Sequence, residues 1–344
     1  MSIAPLRSTR RRAWAIVFSF FLFSVSGCGG SAPSAPSSTA APPPSQPQSS
    51  TIAGTLVDTL TGAPIAGAAI TVAGRAPVTT GTDGTWQSSG SVLAGARQAV
   101  TIETPGYLKH DTGVQWNGAD RRDVALDEIP DRAPFSLLFY RQLVRNAYEQ
   151  PDSMQILRRW STPPNFYVYA INPRTNQPMD PAEVAVIVQT IRDSVPQLTG
   201  GRLGAGSIET GTTARDPVID SIYVHFTYEP KGNYCGLSYV GTNPGDITIN
   251  YDRCASICGS LKVTPQAIAH EVGHAMGFWH IPGTGIMTAD WTLPCGVMRF
   301  TDQERLHASV AYSRPFGNLD VDRDPSTFGA ATAGVPGPIV RCLR

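Results

Sequence analysis

The chain has 344 residues, 41% hydrophobic and only 16% charged, and its 27 basic and 27 acidic side chains cancel to a formal charge of zero. That length makes about two domains at roughly 100–200 residues each, with apolar content sufficient for buried cores. With three lysines (Lys109, Lys231, Lys262) and no basic stripe, the main signature of nucleic-acid binding is missing, so no nucleic-acid partner is expected.

Arg7, Arg10, Arg11 and Arg12 precede the apolar run AWAIVFSFFLFSV from Ala13. The run is shorter than the roughly 20 residues that span a bilayer, and small residues close it, as in a secretory signal over residues 1–27. Val25-Ser26-Gly27-Cys28 resembles the lipobox of bacterial lipoproteins. The resemblance implies acylation of Cys28, hence a chain exported and lipid-anchored to the bacterial cell envelope, at the outer membrane or cell surface. An ordinary cleaved signal, or a twin-arginine signal around Thr9-Arg10-Arg11, are the alternatives. Residues 28–50 are proline-, serine- and alanine-rich without charge or hydrophobic periodicity. Such a segment cannot bury enough surface to offset its ordering entropy, so it reads as a tether.

Residues 51–128 predict a small β domain. TIAGTLVD (51–58), AAITVAG (68–74) and QAVTIET (98–104) alternate apolar with small or polar residues, and Gly62-Ala63-Pro64 and Asp83-Gly84 mark turns. GTLVDTLTGAPIAGAAITVAG, TGTDGTW and PGYLKHD together resemble the carboxypeptidase regulatory-like (transthyretin-like) domain. This implies an all-β sandwich of the kind fused to extracellular enzymes, serving as a folded spacer or docking module.

Residues 132–325 predict a second domain of α+β class, followed by a tail over 326–344. A helix is expected at 134–148 and a strand at FYVYAI (166–171). Asp180-Pro181-Ala182-Glu183 makes a capped start for a helix to about Leu198. IYVHFTY (222–228) and ITINYD (247–252) read as strands. Thr264 can cap the next helix and Pro265 fits its first turn, where a missing N–H costs nothing. Thr301-Asp302-Gln303-Glu304 is a capping box that opens a last helix to about Tyr312.

The chemistry sits in LKVTPQAIAHEVGHAMGFWH. His270 and His274 are four residues apart, so both imidazoles project from one helix face and can hold one ion. Glu271 can lean toward the same ion without ligating it. Gly277 permits the positive φ that ends the helix, and the turned chain can bring His280 back to the ion. Three neutral nitrogens leave a position open for water, which is the arrangement of catalytic rather than structural zinc. One zinc ion is therefore the expected cofactor.

His270, Glu271, His274, Gly277 and His280 match the extended zinc motif of the metzincin clan of metallopeptidases, and Gly285-Ile286-Met287 stands where that clan has its Met-turn. The resemblance implies an apolar floor made by Met287 and a twisted, mostly parallel sheet above a cleft. It also implies a sheet edge in the ITINY strand able to pair with extended substrate. Some branches carry a tyrosine two residues after the Met-turn methionine; here that residue is Ala289, so the matrixin-like branches fit better than the astacin-like or serralysin-like ones. The implied activity is a zinc-dependent endopeptidase, monomeric, acting on protein or peptide substrates, with Glu271 as general base on a zinc-activated water. The alternatives are an inactive binding or adhesion protein with a retained zinc site, and a hydrolase of cell-wall peptide amides.

Apart from Cys28, the cysteines (Cys235, Cys254, Cys258, Cys295, Cys342) all lie in the second domain. In an exported chain these make two disulfides among Cys235, Cys254, Cys258 and Cys295, with Cys342 left over. His225, in a strand, and His307, expected on a surface helix, read as structural. The alternating aspartates of NLDVDRDPSTFG (318–329) suggest calcium as a second ion, or else an acidic surface loop. Pro325 stands where an EF-hand loop needs glycine, and the terminal glutamate is missing.

Overall fold

The computed structural model describes residues 48–92, 95–116, 118–232, 234–252, 263–289 and 299–325, and the backbone alone of 339–343. The signal, Cys28 and the tether up to residue 47 lie outside the described residues. Among the described residues no helix is long and apolar enough to cross a membrane.

The fold is α+β with several sheets. In the first half β1 (Gln48–Asp58) pairs antiparallel with β4 (Thr85–Val92) and parallel with β7 (Arg121–Glu128). A second sheet has the order β3 (Val78–Thr79), β2 (Ala69–Val72), β5 (Arg97–Glu103), β6 (His110–Gln115). Alternate residues of β2 and β4 are buried, as expected of strands with one face on a core and one in water. The inward residues of both sheets, among them Ile52, Leu56, Ile70, Trp86, Val100 and Ile102, form one apolar cluster with Trp116, just past β6. The first strand begins at Gln48, so pairing takes up the last residues of the expected tether.

In the second half the helix expected at 134–148 is α1 (Leu137–Arg145). Ser136 caps it by accepting from the Phe139 N–H, and Asn146 in the left-handed region (φ 58°) stops it early. Then come β8 (Asn165–Tyr169), the short pair β9 (Ile171–Asn172) and β10 (Gln177–Pro178), and α2 (Pro181–Thr199). Asp180 caps α2 by accepting from the Ala182 N–H at 2.8 Å, as the sequence suggested. The strands β11 (Ile208–Gly211), β12 (Ser221–Thr227), β13 (Tyr234–Tyr239) and β14 (Gly245–Asn250) precede α3 (Pro265–Ala275) and α4 (Asp302–Ser313), and β15 (Ile339–Leu343) is last.

These strands form one sheet in the order β11-β8-β12-β14-β13-β15, with β11, β8, β12 and β14 parallel and β13 and β15 antiparallel to their neighbours. Consecutive residues of β8 and β12 are buried (Phe166-Tyr167-Val168, Ile222-Tyr223-Val224), the pattern of strands covered on both faces. The main core joins the sheet to α1, α2, α3 and α4. One expectation is overturned here. The ITINY strand, β14, is interior, and β13 lies outside it with β15 beyond, because the chain loops outward to β13 before returning.

The aspartate-rich loop is also corrected. Asp320 pairs with Arg141 at 2.6 Å, Asp322 with Arg314 at 2.7 Å, and Asp324 with Thr112 at 2.6 Å and His110 at 3.4 Å. Carboxylates engaged by cationic side chains are not disposed as a calcium cage, and the loop instead joins the two halves of the fold. Asp111 N–H donates to the Asp322 carbonyl and Asp324 N–H to the Asp111 carbonyl, while buried Arg314 reaches Asp127 on β7 at 2.8 Å. His307 is buried rather than on a surface. It accepts from the Ser136 N–H at 2.9 Å, donates to the Gln303 carbonyl at 2.7 Å, and stacks on Phe135. His225 is structural as expected, bonded to Thr248 at 2.7 Å and lying against Tyr223.

Candidate metal centre

α3 is buried along its whole length, so its polar residues sit inside the core. Thr264 caps it through the Ala267 N–H at 3.2 Å. The helix ends when Gly277 adopts φ 108°, with its N–H on the His274 carbonyl at 2.8 Å. A Cβ at Gly277 would lie 1.9 Å from the Arg158 carbonyl oxygen, so this reversal accepts glycine alone. Trp160 Nε1 and Tyr312 Oη donate to the freed carbonyls of Ala275 and Met276, each at 2.9 Å.

The reversal returns His280 to the helix face. His270 Nε2 lies 2.8 Å from His274 Nε2, which lies 3.2 Å from His280 Nε2, and each ring is at most 1% exposed. Each Nδ1 has its own acceptor: the Ile286 carbonyl for His270 (2.5 Å), the Phe278 carbonyl for His274 (2.7 Å) and Glu149 Oε1 for His280 (2.6 Å). A proton held on Nδ1 leaves the lone pair on Nε2, so three lone pairs face one another. Burial, reinforced by His280, pushes His270 down to about 3, and burial with His270 holds His274 well below the usual range. Neutral imidazoles with converging lone pairs repel one another until a cation lies among them. Their spacing is near the edge of a tetrahedron at the usual zinc–nitrogen distance, roughly 3.3 Å. The cluster fits a metal ion, and His270, His274 and His280 are the residues that would hold it.

Met287 packs against α3 at Gly273. A Cβ on Gly273, between the two helical histidines, would meet Met287 Sδ at 2.2 Å, so the absence of a side chain there admits the thioether. Two bonds hold the turn: Ile281 N–H to the Met287 carbonyl at 3.0 Å, and Met287 N–H to Glu304 Oε1 at 2.7 Å. Glu304 is the expected capping-box residue of α4 and accepts from the Thr301 N–H as well. Burial pushes its carboxyl up. Glu271 is fully buried, one residue past His270, and packs against Gly236 of β13, where a Cβ would stand 2.3 Å from Oε1.

Cys235, next to Gly236, is disulfide-bonded. The backbone register opposes Tyr234 with Leu343 and Leu237 with Arg341, with an irregularity between them. Cys254, Cys258 and Cys295 lie outside the described residues. The site thus brings together every metal-site residue expected from the sequence, and adds Glu149 and Gly236, which no local pattern marked.

No protein-family model matches the chain, and no curated protein matches it. Among solved structures it is similar to hydroxyquinol 1,2-dioxygenase from Pseudomonas putida (12% identity, 24% of this chain and 56% of that chain, TM-score 0.20). It is also similar to catechol 1,2-dioxygenase from Pseudomonas arvilla (10% identity, 28% and 56%, TM-score 0.21). A third is 5-hydroxyisourate hydrolase from Klebsiella pneumoniae (20% identity, 24% and 90%, TM-score 0.20). The chain spans about half the length of the dioxygenase structures it matches. Similarity at this level defines neither fold nor chemistry.

Proposed function

We propose that the protein is a zinc-dependent endopeptidase of metzincin type, matrixin-like, exported and lipid-anchored through Cys28. The observation that carries this reading is the convergence of three buried Nε2 atoms, with Glu271 buried one residue past His270 on the same helix. The order helix, strand, helix, strands, metal helix, final helix supports it, as does Met287 seated against α3.

Zinc bound here would acidify a water molecule and polarise the scissile carbonyl. His270, His274 and His280 would hold the ion through Nε2, with their ring orientation fixed through Nδ1. Glu271 accepts the proton of the attacking water and returns it to the leaving amine. Gly236 and the buried helix confine that carboxylate. The first β domain acts as a spacer or docking module between the anchor and the catalytic half.

The test is a peptide-library digest with and without a chelator, alongside Glu271→Gln. The substitution should leave the zinc content unchanged and lower hydrolysis on the order of 10²–10⁴-fold. Full turnover in Glu271→Gln, or cleavage indifferent to chelation, overturns the reading.

A further inference from the structure

The three histidines are not held alike. His270 and His274 ride on a buried helix, and the acceptors of their Nδ1–H groups are backbone carbonyls. His280 lies beyond the helix end, in a segment without regular structure. Its Nδ1–H donates to a side chain 131 residues away, Glu149 Oε1, at 2.6 Å. We infer that Glu149 is a positioning residue for the third metal ligand and sets how tightly His280 holds an ion.

The local fold brings Glu149 there by a short series of steps. Asn146 in the left-handed region stops α1, and the Gln150 N–H closes on the Asn146 carbonyl at 2.8 Å, forming the turn that carries Glu149. The Trp279 N–H donates to the Leu143 carbonyl of α1 at 2.7 Å, so the segment bearing His280 is stitched to the same helix end. The carboxylate then fixes the Nδ1–H tautomer, turns the Nε2 lone pair toward the other two histidines, and makes the imidazole a stronger donor than a carbonyl acceptor would. His280 is 1% exposed, whereas the Glu149 side chain is 37% exposed, so the contact reaches from the surface to the buried centre.

The inference rests on the reading of the cluster as a metal site, and its test uses no substrate. Zinc affinity is measured by chelator competition on the full chain, on Glu149→Ala and on Glu149→Gln, with the visible spectrum of the cobalt-loaded forms recorded beside it. Glu149→Ala should bind zinc about 10–100-fold more weakly and shift the cobalt bands. Glu149→Gln, whose amide oxygen still accepts from Nδ1–H, should recover part of both. Affinity within about two-fold of the parent with an unchanged cobalt spectrum would overturn the inference. So would a lowered melting temperature of the metal-free variant as its only defect. A parent chain that binds zinc and cleaves nothing removes the peptidase reading and leaves this one standing.

Discussion

Gly236 on β13 and Glu271 on α3 are in mutual contact so close that no side chain fits between them: a Cβ on Gly236 would stand 2.6 Å from Cδ of Glu271 as well as 2.3 Å from Oε1. The strand therefore fixes the position of the carboxylate from above, while the helix presents it from below.

Gly236→Ala should displace that carboxylate without touching a metal ligand. Misplacement by about 1 Å costs on the order of 10²-fold in rate, so kcat/KM should fall by roughly that factor at unchanged zinc content. In a Glu271→Gln background the same substitution should add nothing, because the group it moves is no longer a base. Kinetics on the single and double variants with metal analysis check this. A further drop in the double variant would show that Gly236 acts elsewhere.

Glu128, at the end of β7, is fully buried; its Oε2 accepts from the Thr104 hydroxyl, and its Oε1 has no partner among the described residues. Burial pushes its carboxyl from 4.5 to about 7. The folded chain thus binds this proton more tightly than the unfolded one, so the contribution is complete below about pH 4.5 and is lost as pH rises through about 7. The loss amounts to about 3 kcal/mol. Glu128→Gln should be the more stable form at pH 8 and show a flatter profile between pH 5 and 8. His110 weakens over the upper part of the same window, since, despite burial, Asp324 raises its folded pKa; only the difference between the two proteins isolates Glu128. Urea midpoints at both pH values decide, and parallel profiles would refute the assignment.

Arg314 is 1% exposed and joins Asp322 to Asp127 across the two halves of the fold. Arg314→Met leaves two carboxylates without their cation. Breaking a buried pair from one side costs about 3–5 kcal/mol, which in a chain of this size lowers the melting temperature on the order of 10 °C. Calorimetry of the metal-loaded protein measures it, and an unchanged melting temperature would mean that the two halves are held by other contacts.

What the sequence made legible was what lies close together along the chain. His270, Glu271 and His274 fall within one helical turn, and the reversal at Gly277 lies three residues on, so spacing alone implied a common centre. Thr264, Asp180 and Thr301 announced three helix starts, because a cap bonds within three residues of itself. Glu149 reaches His280 across 131 residues and Arg314 reaches Asp127 across 187, and no local pattern carries such partners. The same blindness produced the calcium reading, in which alternating aspartates were visible and the cations facing them were not. The stop at Asn146, short of the expected helix end, depends on a single left-handed residue. The outward position of β13 depends on sheet order, which strand patterns do not encode.

A strand edge accepts one partner at a time. β14 occupies one side of β13, and β15, from the end of the same chain, occupies the other. An extended peptide can therefore gain the backbone hydrogen bonds of β13 only by displacing a competitor that never diffuses away. A competitor joined by a short linker acts at an effective concentration on the order of millimolar. Entry to that edge is consequently an exchange reaction, governed by the ratio of two strand affinities rather than by the affinity of the incoming strand alone.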